Sequence, residues 1–131
     1  MTNAIRIDVS PGELIDKITI LEIKAERIAD AAKLVNIRHE LDTLQQARAA
    51  HIDADDAQVR QLTDELRRIN EALWEIEDAI RECESEQDFG ARFIDLARSV
   101  YRRNDERAAV KRQLNTALGS RLVEEKSYQA Y

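Results

Sequence analysis

The fold class is decided by residues 57–86, which read AQVRQLTDELRRINEALWEIEDAIRECESE. Apolar side chains recur there at alternating steps of three and four residues: Val59, Leu62, Leu66, Ile69, Leu73, Ile76, Ile80 and Cys83. This spacing puts all of them on one face of an α-helix roughly 45 Å long. We therefore predict a long amphipathic helix whose apolar face is buried against other helices.

A helix preceding this stretch has an explicit start. Ser10 is a good N-cap, Pro11 suits the first helical position, and Glu13 completes a capping box. The apolar stripe that follows consists of Leu14, Ile18, Leu21, Ala25, Ile28, Ala32 and Val35. It restarts at Leu34 on a rotated face, which predicts a kink or break near residues 33–36.

A third helix is predicted to follow a short break at residues 88–90. Its stripe consists of Phe93, Leu96, Ala97, Val100, Val110, Leu114 and Leu118, and Gly119 closes it as a C′ residue. Residues 45–58 lose the helical period and contain Asp53, Asp55 and Asp56, so we predict a connecting loop there. Residues 120–131 form a C-terminal tail.

These elements predict an all-α fold, an elongated antiparallel bundle of three long helices in a single domain of residues 1–131. Residues 51–91 carry a net charge of −9 and residues 92–131 carry +4, which favours a hairpin of the second and third helices. In residues 1–9, Ile5, Ile7 and Val9 alternate with polar residues and predict a short extended arm or strand.

Two features indicate a homodimer. The strand has no partner in the sequence, and residues 13–24 are apolar nearly all round, which is typical of a helix buried on several sides. The chain lacks a stretch of about 18 apolar residues, and residues 1–9 do not resemble an export signal. We therefore expect no membrane association and a cytoplasmic location.

Common catalytic and metal sites are not expected. Residues 53–64 begin like a calcium loop, but Ala57, Gln58 and Asp64 occupy places that need a ligand, a glycine and a glutamate. One cysteine and two histidines are too few for a structural zinc site, and three scattered glycines cannot form a phosphate loop. Cys83 lies on the apolar stripe and is interpreted as a core residue. We predict no metal and no cofactor.

The polar residues that stand out lie on the third helix. Arg103, Arg107 and Lys111 are four residues apart and form one cationic row, with Asn104 beside them. One interpretation pairs this row with acidic residues of the second helix, Glu71, Glu75, Asp78 and Glu82. The other is an anion-binding pocket, for which neighbouring helices would supply wall residues: Asn70, Trp74, Glu77 and Lys17. A net charge of −6 and a pI near 5.0 argue against nucleic acid as the partner.

Four runs of sequence carry a resemblance to a known family: SPGELIDKITILEIK at 10–24, LWEIEDAIRECE at 73–84, FGARFIDLARSVYRRNDER at 89–107 and GSRLVEEKSY at 119–128. With them the chain resembles a family of small bacterial helical proteins classed as a domain of unknown function. The resemblance implies a bacterial, cytoplasmic, stand-alone protein and implies no activity, cofactor or catalytic residue.

The first helix is also similar to that of the helical chorismate mutases, which are intertwined dimers that hold a dicarboxylate with Arg and Lys. The similar residues are Ile15-Asp16-Lys17 and Glu26-Arg27, but the spacing from aspartate to arginine departs from the family pattern. The later polar residues of that family have no match here. This likeness implies at most that a helical dimer of this kind can hold an anion.

The sequence thus favours a non-catalytic interaction or assembly module that acts as a homodimer, with a protein partner that the sequence does not identify. The alternative is a small-molecule anion-binding protein, or a small helical enzyme, with a cationic pocket on the third helix around Arg103, Asn104, Arg107 and Lys111.

Overall fold

The computed structural model describes residues 3–131 and contains four α-helices: α1 (Pro11–Arg27), α2 (Ala31–His51), α3 (Ala57–Ser85) and α4 (Ala91–Ala117). The predicted all-α class is confirmed, but there are four helices instead of three. The described part of the predicted arm, residues 3–9, contains no strand. Met1 and Thr2, which also belong to that arm, lie outside the described residues.

The predicted first helix is two helices, because Asp30 begins a new one. Its Oδ1 atom accepts hydrogen bonds from the backbone N–H groups of Ala32 and Lys33, at 2.9 and 3.1 Å. These contacts satisfy donors that a helix start leaves free. The break therefore lies at residues 28–30, a turn earlier than the rotation of the stripe predicted.

The loop predicted at residues 45–58 is shorter in the structure. α2 continues to His51, so the connection spans residues 52–56. The glutamines and alanines at 45–50 have high intrinsic helix propensity, which explains why the helix continues without a clear stripe. Ile52 is buried in the core, and the side chain of Asp56 caps α3 by accepting from the N–H of Val59 at 3.0 Å.

The predicted start of α1 and end of α4 are confirmed, but the Glu13 carboxylate bonds Lys111 and does not complete the capping box. Ser10 Oγ accepts from the N–H of Glu13 at 3.2 Å, with Pro11 in the first turn. Gly119 has a φ of 65° and follows α4. The N–H groups of Gly119 and Ser120 donate to the carbonyls of Thr116 and Asn115, which is the Schellman pattern.

α1 is the centre of the molecule, since it contacts each of the other three helices, whereas α2 contacts no helix except α1 in the described chain. This packing explains why α1 is apolar nearly all round. Its faces are covered within one chain, so its composition is not a reason to expect a second one.

The hydrophobic core lies at one end of the bundle. It is built from the first half of α1, the connection before α3, the first half of α3 and the end of α4: Leu14, Ile15, Ile18, Ile52, Val59, Leu62, Leu66, Ile69, Val110 and Leu114. Leu41 and Leu44 of α2 pack against it. Residues 74–104 contribute no side chain to this core.

α3 and α4 pack along each other, as the predicted hairpin requires. Of the ion pairs among residues 3–131, only the one between Arg92 and Glu82, 3.7 Å apart, joins α3 to α4. Cys83 is fully buried, in agreement with its position on the apolar stripe, although it lies outside the core cluster. No helix of the described chain is long and apolar enough to cross a membrane.

Candidate functional site

Asp16 is a carboxylate buried where α1 meets α3 and α4, with 1 % of its surface exposed. Its Oδ1 atom accepts hydrogen bonds from Asn70 Nδ2 of α3 and Arg107 Nε of α4, both at 2.9 Å. Its Oδ2 atom accepts a second bond from Arg107, through Nη2. The pairing with Arg107 is therefore bidentate, the geometry that suits a guanidinium best.

Thr19 completes this buried cluster. Its hydroxyl donates to the backbone carbonyl of Asp16 at 2.8 Å and accepts from Asn70 Nδ2 at 2.9 Å. Every buried side-chain nitrogen and oxygen in the described part of the chain has a hydrogen-bond partner. A satisfied polar network of this kind holds helices in one arrangement.

Asp16 stabilises the charged form of Arg107. The hydrogen bonds to Asp16 raise the pKa of Arg107 above its ordinary value, although burial works in the opposite direction. Since Asp16 is almost completely buried, its pair with Arg107 differs from exposed ion pairs, which contribute little to stability.

Lys111 is the second buried cation, one turn further along α4. Its Nζ atom donates to Glu13 Oε2 of α1 at 2.7 Å and to Glu124 Oε2 of the C-terminal tail at 2.9 Å. Burial lowers the pKa of Lys111, but the hydrogen bonds to the two carboxylates outweigh it and the net shift is upward. The hydrogen bond from Lys111 lowers the pKa of Glu124.

One turn beyond Lys111, α1 and α4 approach most closely. Asn115 Oδ1 accepts from the backbone N–H of Gly12 at 2.7 Å. A Cβ atom on Gly12 would lie 2.5 Å from the carbonyl oxygen of Lys111, so only glycine fits there. Three successive turns of α4 thus contact the first turns of α1 through Arg107, Lys111 and Asn115.

Three of the four acidic residues of α3 that were expected to face these cations pair with other arginines. Glu71 bonds Arg67 on its own helix, Glu75 bonds Arg27 of α1, and Glu82 bonds Arg92. The interpretation that paired Arg103, Arg107 and Lys111 with α3 is therefore wrong, because α1 lies against this part of α4 and supplies Asp16 and Glu13.

The other predicted site residues do not converge. Arg103 pairs with Glu106 on its own helix at 3.0 Å and lines a groove of about 620 Å³ between α3 and α4. Glu77 pairs with Arg81, Lys17 is exposed, and Trp74 is half-buried. Asn70 is close to Arg107 through Asp16, and its role there is structural.

Sequence reasoning missed Asp16 as the partner of Arg107, together with Thr19, Glu13, Asn115 and Glu124. A signal for Asp16 is present in the sequence, since it is a carboxylate inside the apolar run of residues 14–23. A charge at such a position requires a buried partner. The sequence does not reveal which cation that partner is.

A cavity of about 1,210 Å³ lies between α4 and the C-terminal tail. Asn104 and Lys111, two of the predicted anion-site residues, line it; Arg103 and Arg107 do not. The tail runs back along α4, because Glu124 contacts Lys111 while Tyr131 donates to Asp105 and packs edge-on against the ring of Tyr101.

The described residues contain no group of three or more His, Cys, Asp or Glu side chains arranged to hold a metal ion. The polar clusters of the molecule are ion pairs and amides. They bind one another.

Comparison with known proteins agrees with the resemblance in the sequence. A family model described as a family of unknown function, DUF6165, matches residues 5–131. The chain belongs to the DUF6165 family. Membership in DUF6165 brings no activity with it. Neither the curated proteins nor the solved structures gave a match, so the likeness to chorismate mutases stays a prediction.

Proposed function

We propose that this DUF6165 protein is a non-catalytic assembly module that forms a homodimer through the outer part of the α3–α4 hairpin, residues 74–104. The observation that carries the proposal is the position of the core, to which these residues contribute nothing. Two helices alone leave part of their apolar surface open, whereas three or four cover it.

The apolar side chains of the outer hairpin are numerous and incompletely covered. Six large ones are half-buried: Trp74, Ile76, Ile80, Phe93, Leu96 and Val100. Phe89 and Ile94 are about half exposed, at 49 % and 53 %. Apolar surface of this extent on a helical hairpin is typical of an interface.

The charges favour a second copy of the chain as the occupant. Residues 74–88 of the hairpin carry seven acidic residues and one basic residue, and residues 91–104 carry four basic and one acidic. In a two-fold symmetric dimer, α3 of one protomer can lie on α4 of its partner, and the reverse contact then forms as well. Opposite charges would meet along both contacts.

Two exposed arginines are available for these contacts. Arg98 and Arg102 form no ion pair in the described part of the chain, and both lie on the basic side of the hairpin. The arm contributes to the proposal in a smaller way. Ile5 and Ile7 are exposed at 87 % and 75 %, so they stay open to a partner protomer.

Charge reversal tests the dimer. We expect sedimentation equilibrium of the full chain to give a dimer at tens of micromolar, and Arg98→Glu/Arg102→Glu to give a monomer. Mixing that variant with Glu77→Arg/Glu84→Arg should restore a heterodimer, since the reversed charges are complementary again. Lys33→Glu/Arg38→Glu, on exposed positions of α2, changes the net charge equally and should remain dimeric.

A wild-type monomer at these concentrations would overturn the proposal. A dimer that survives the reversal at Arg98 and Arg102, or that the α2 control also dissociates, would move the interface away from the hairpin. Circular dichroism on each variant checks that the helices are retained.

We also propose a bacterial, cytoplasmic protein, in keeping with the resemblance from which that expectation arose. The free thiol of Cys83 suits a reducing compartment. Fractionation of cells that produce the native protein, with blotting of the soluble and envelope fractions, tests the location.

A further inference from the structure

We propose that the cavity between α4 and the C-terminal tail binds a small organic anion, whose carboxylate or phosphate group takes the place of the Glu124 carboxylate on Lys111. The tail is then an internal ligand that occupies the anion position when no external one is present. The residues that hold the anion position, Lys111 and the tail, lie outside residues 74–104 of the proposed dimer interface; the cavity shares Val100, Tyr101 and Asn104 with it.

Lys111 is suited to such an exchange because its two carboxylate partners differ. Glu13 belongs to α1 and is fixed against α4 by the packing of Gly12 and Asn115. Glu124 belongs to a tail without helix or strand, and its side chain is 44 % exposed. The Glu124 carboxylate can therefore be replaced by a movement of the tail, whereas the backbone that carries Glu13 is held in place by the packing of α1 on α4.

The charges of the cavity favour an anion once the Glu124 carboxylate has moved. The cationic lining residues are Lys111, Arg112 and Lys126, and the anionic ones are Asp105 and Glu124. Without the Glu124 carboxylate, Lys111 and Lys126 each lose a carboxylate partner, while Glu13 stays on Lys111 and Glu125 stays on Arg112. A ligand carboxylate or phosphate restores the balance and regains the charge-assisted hydrogen bond to Nζ.

The rest of the cavity fits a flat organic body. Its volume of about 1,210 Å³ lies somewhat above the usual range for ligand pockets, about 300–1,000 Å³. Val100, Tyr101 and Tyr131 provide apolar and aromatic surface, and the side chain of Asn104 adds an amide. Tyrosine rings next to a few polar groups are typical of sites that bind small aromatic or cyclic metabolites.

Glu124→Gln tests the exchange, because it removes the competing charge while keeping the shape of the side chain. The probes are phenyl phosphate and phenylacetate, with neutral phenylacetamide as the uncharged match, titrated into the full chain by calorimetry. We expect the better anion to bind Glu124→Gln about tenfold more tightly than the wild type, since the free site is no longer a minor state. Phenylacetamide should show no such gain.

Glu125→Gln is the matched control. Glu125 is the neighbouring tail carboxylate, pairs with Arg112 at 3.4 Å, and does not line the cavity. This variant should bind the anions like the wild type. Ala108→Trp fills the cavity and leaves Lys111 in place, so it should abolish binding in the Glu124→Gln background.

The proposal would be overturned if neither anion bound Glu124→Gln saturably up to about 10 mM, a range in which even weak sites are detected. Equal affinity of the wild type and Glu124→Gln would also overturn it. So would full binding by the double variant Glu124→Gln/Ala108→Trp. A comparison of the two anionic probes then decides between carboxylate and phosphate as the preferred group. The substituted residues, Glu124, Glu125 and Ala108, lie outside residues 74–104, so sedimentation equilibrium of the same variants separates a loss of binding from a loss of the dimer.

Discussion

At Asp16 a single buried carboxylate joins three helices. It receives Arg107 from α4 and Asn70 from α3, and its backbone carbonyl receives the hydroxyl of Thr19. Burying a charge is costly unless it is paired and hydrogen-bonded, and here both conditions are met. The pair therefore favours one arrangement of α1 against α3 and α4 over the other arrangements that apolar packing alone would allow.

Replacing Arg107 by Ala should be costly at this position. An exposed ion pair contributes about 1 kcal/mol or less, but here the substitution leaves Asp16 buried with Asn70 as its only side-chain donor. We expect a loss of about 2–3 kcal/mol in the free energy of unfolding, measured by urea denaturation. Arg103→Ala, which removes an exposed pair, should cost at most about 0.5 kcal/mol. Equal effects for both variants would contradict the buried pair.

For Gly12→Ala we predict a change in the free energy of unfolding that is opposite in sign to the usual one. In most helices Gly→Ala stabilises by roughly 0.5–1 kcal/mol. Gly12→Ala should instead destabilise by about 2 kcal/mol, because the new methyl group meets the backbone carbonyl of Lys111 and the side chain of Asn115. Thermal and urea unfolding measure the change. A variant at least as stable as the wild type would show that α1 and α4 are further apart than described.

At the scale of the element, α3 and α4 end in the same way on different residues. Both close with a Schellman motif, in which α3 has Gln87 at the left-handed position and α4 has Gly119. Any residue with a Cβ atom pays a steric cost in that conformation, and glycine does not. The end of α3 is therefore suboptimal, at the turn that connects the hairpin.

This comparison predicts opposite effects for two substitutions. Gln87→Gly should raise the free energy of unfolding by about 1 kcal/mol, because it relieves the backbone at a φ of 58°. Gly119→Ala should lower it by a similar amount; its Cβ atom would meet nothing within 4 Å, so the cost is that of the backbone alone. Chemical denaturation of both variants tests the pair, and a shift of the same sign in both would refute it.

At the scale of the whole molecule, the C-terminal tail is held by charge. Its residues are nearly all exposed, and its contacts to α4 are ion pairs and hydrogen bonds of Glu124, Glu125 and Tyr131. The core at the other side of α4 does not depend on them. Tail docking should therefore respond to pH and salt more than the bundle does.

Acid should release the tail before it unfolds the bundle. The bond from Lys111 holds the pKa of Glu124 below its ordinary value of 4.5, so docking is stabilised at pH values above that value. The stabilisation is lost as the pH falls through the lowered pKa. NMR shifts of residues 120–131 should therefore move toward random-coil values as the pH falls below 4.5, while far-ultraviolet circular dichroism still reports helices.

Glu124→Gln is the control for this titration. Its tail should stay docked at neutral pH through Glu125 and Tyr131, less firmly than in the wild type, and should change less on acidification. If the wild type and Glu124→Gln titrate alike, Glu124 does not hold the tail.

The sequence by itself determined the local features of this protein. The all-α class, the long helix from Ala57, the cap at Ser10 and the end at Gly119 were all predictable, because helix periodicity and capping depend on residues within about four positions of one another. The break before α2 was predicted about one turn too late. The prediction relied on the rotation of the apolar stripe, whereas the cap formed by Asp30 sets the start of α2.

Only the tertiary structure decided which charges meet. Arg107 and Lys111 stood out in the sequence, but their partners lie 91 and 98 positions away on α1. The sequence offers several other acidic residues at a similar spacing as possible partners, most of them on α3. The choice followed from α1 lying against α4, which depends on apolar packing of the whole core. The cavity beside Lys111 likewise exists because the tail folds back on α4, and no local pattern encodes that return.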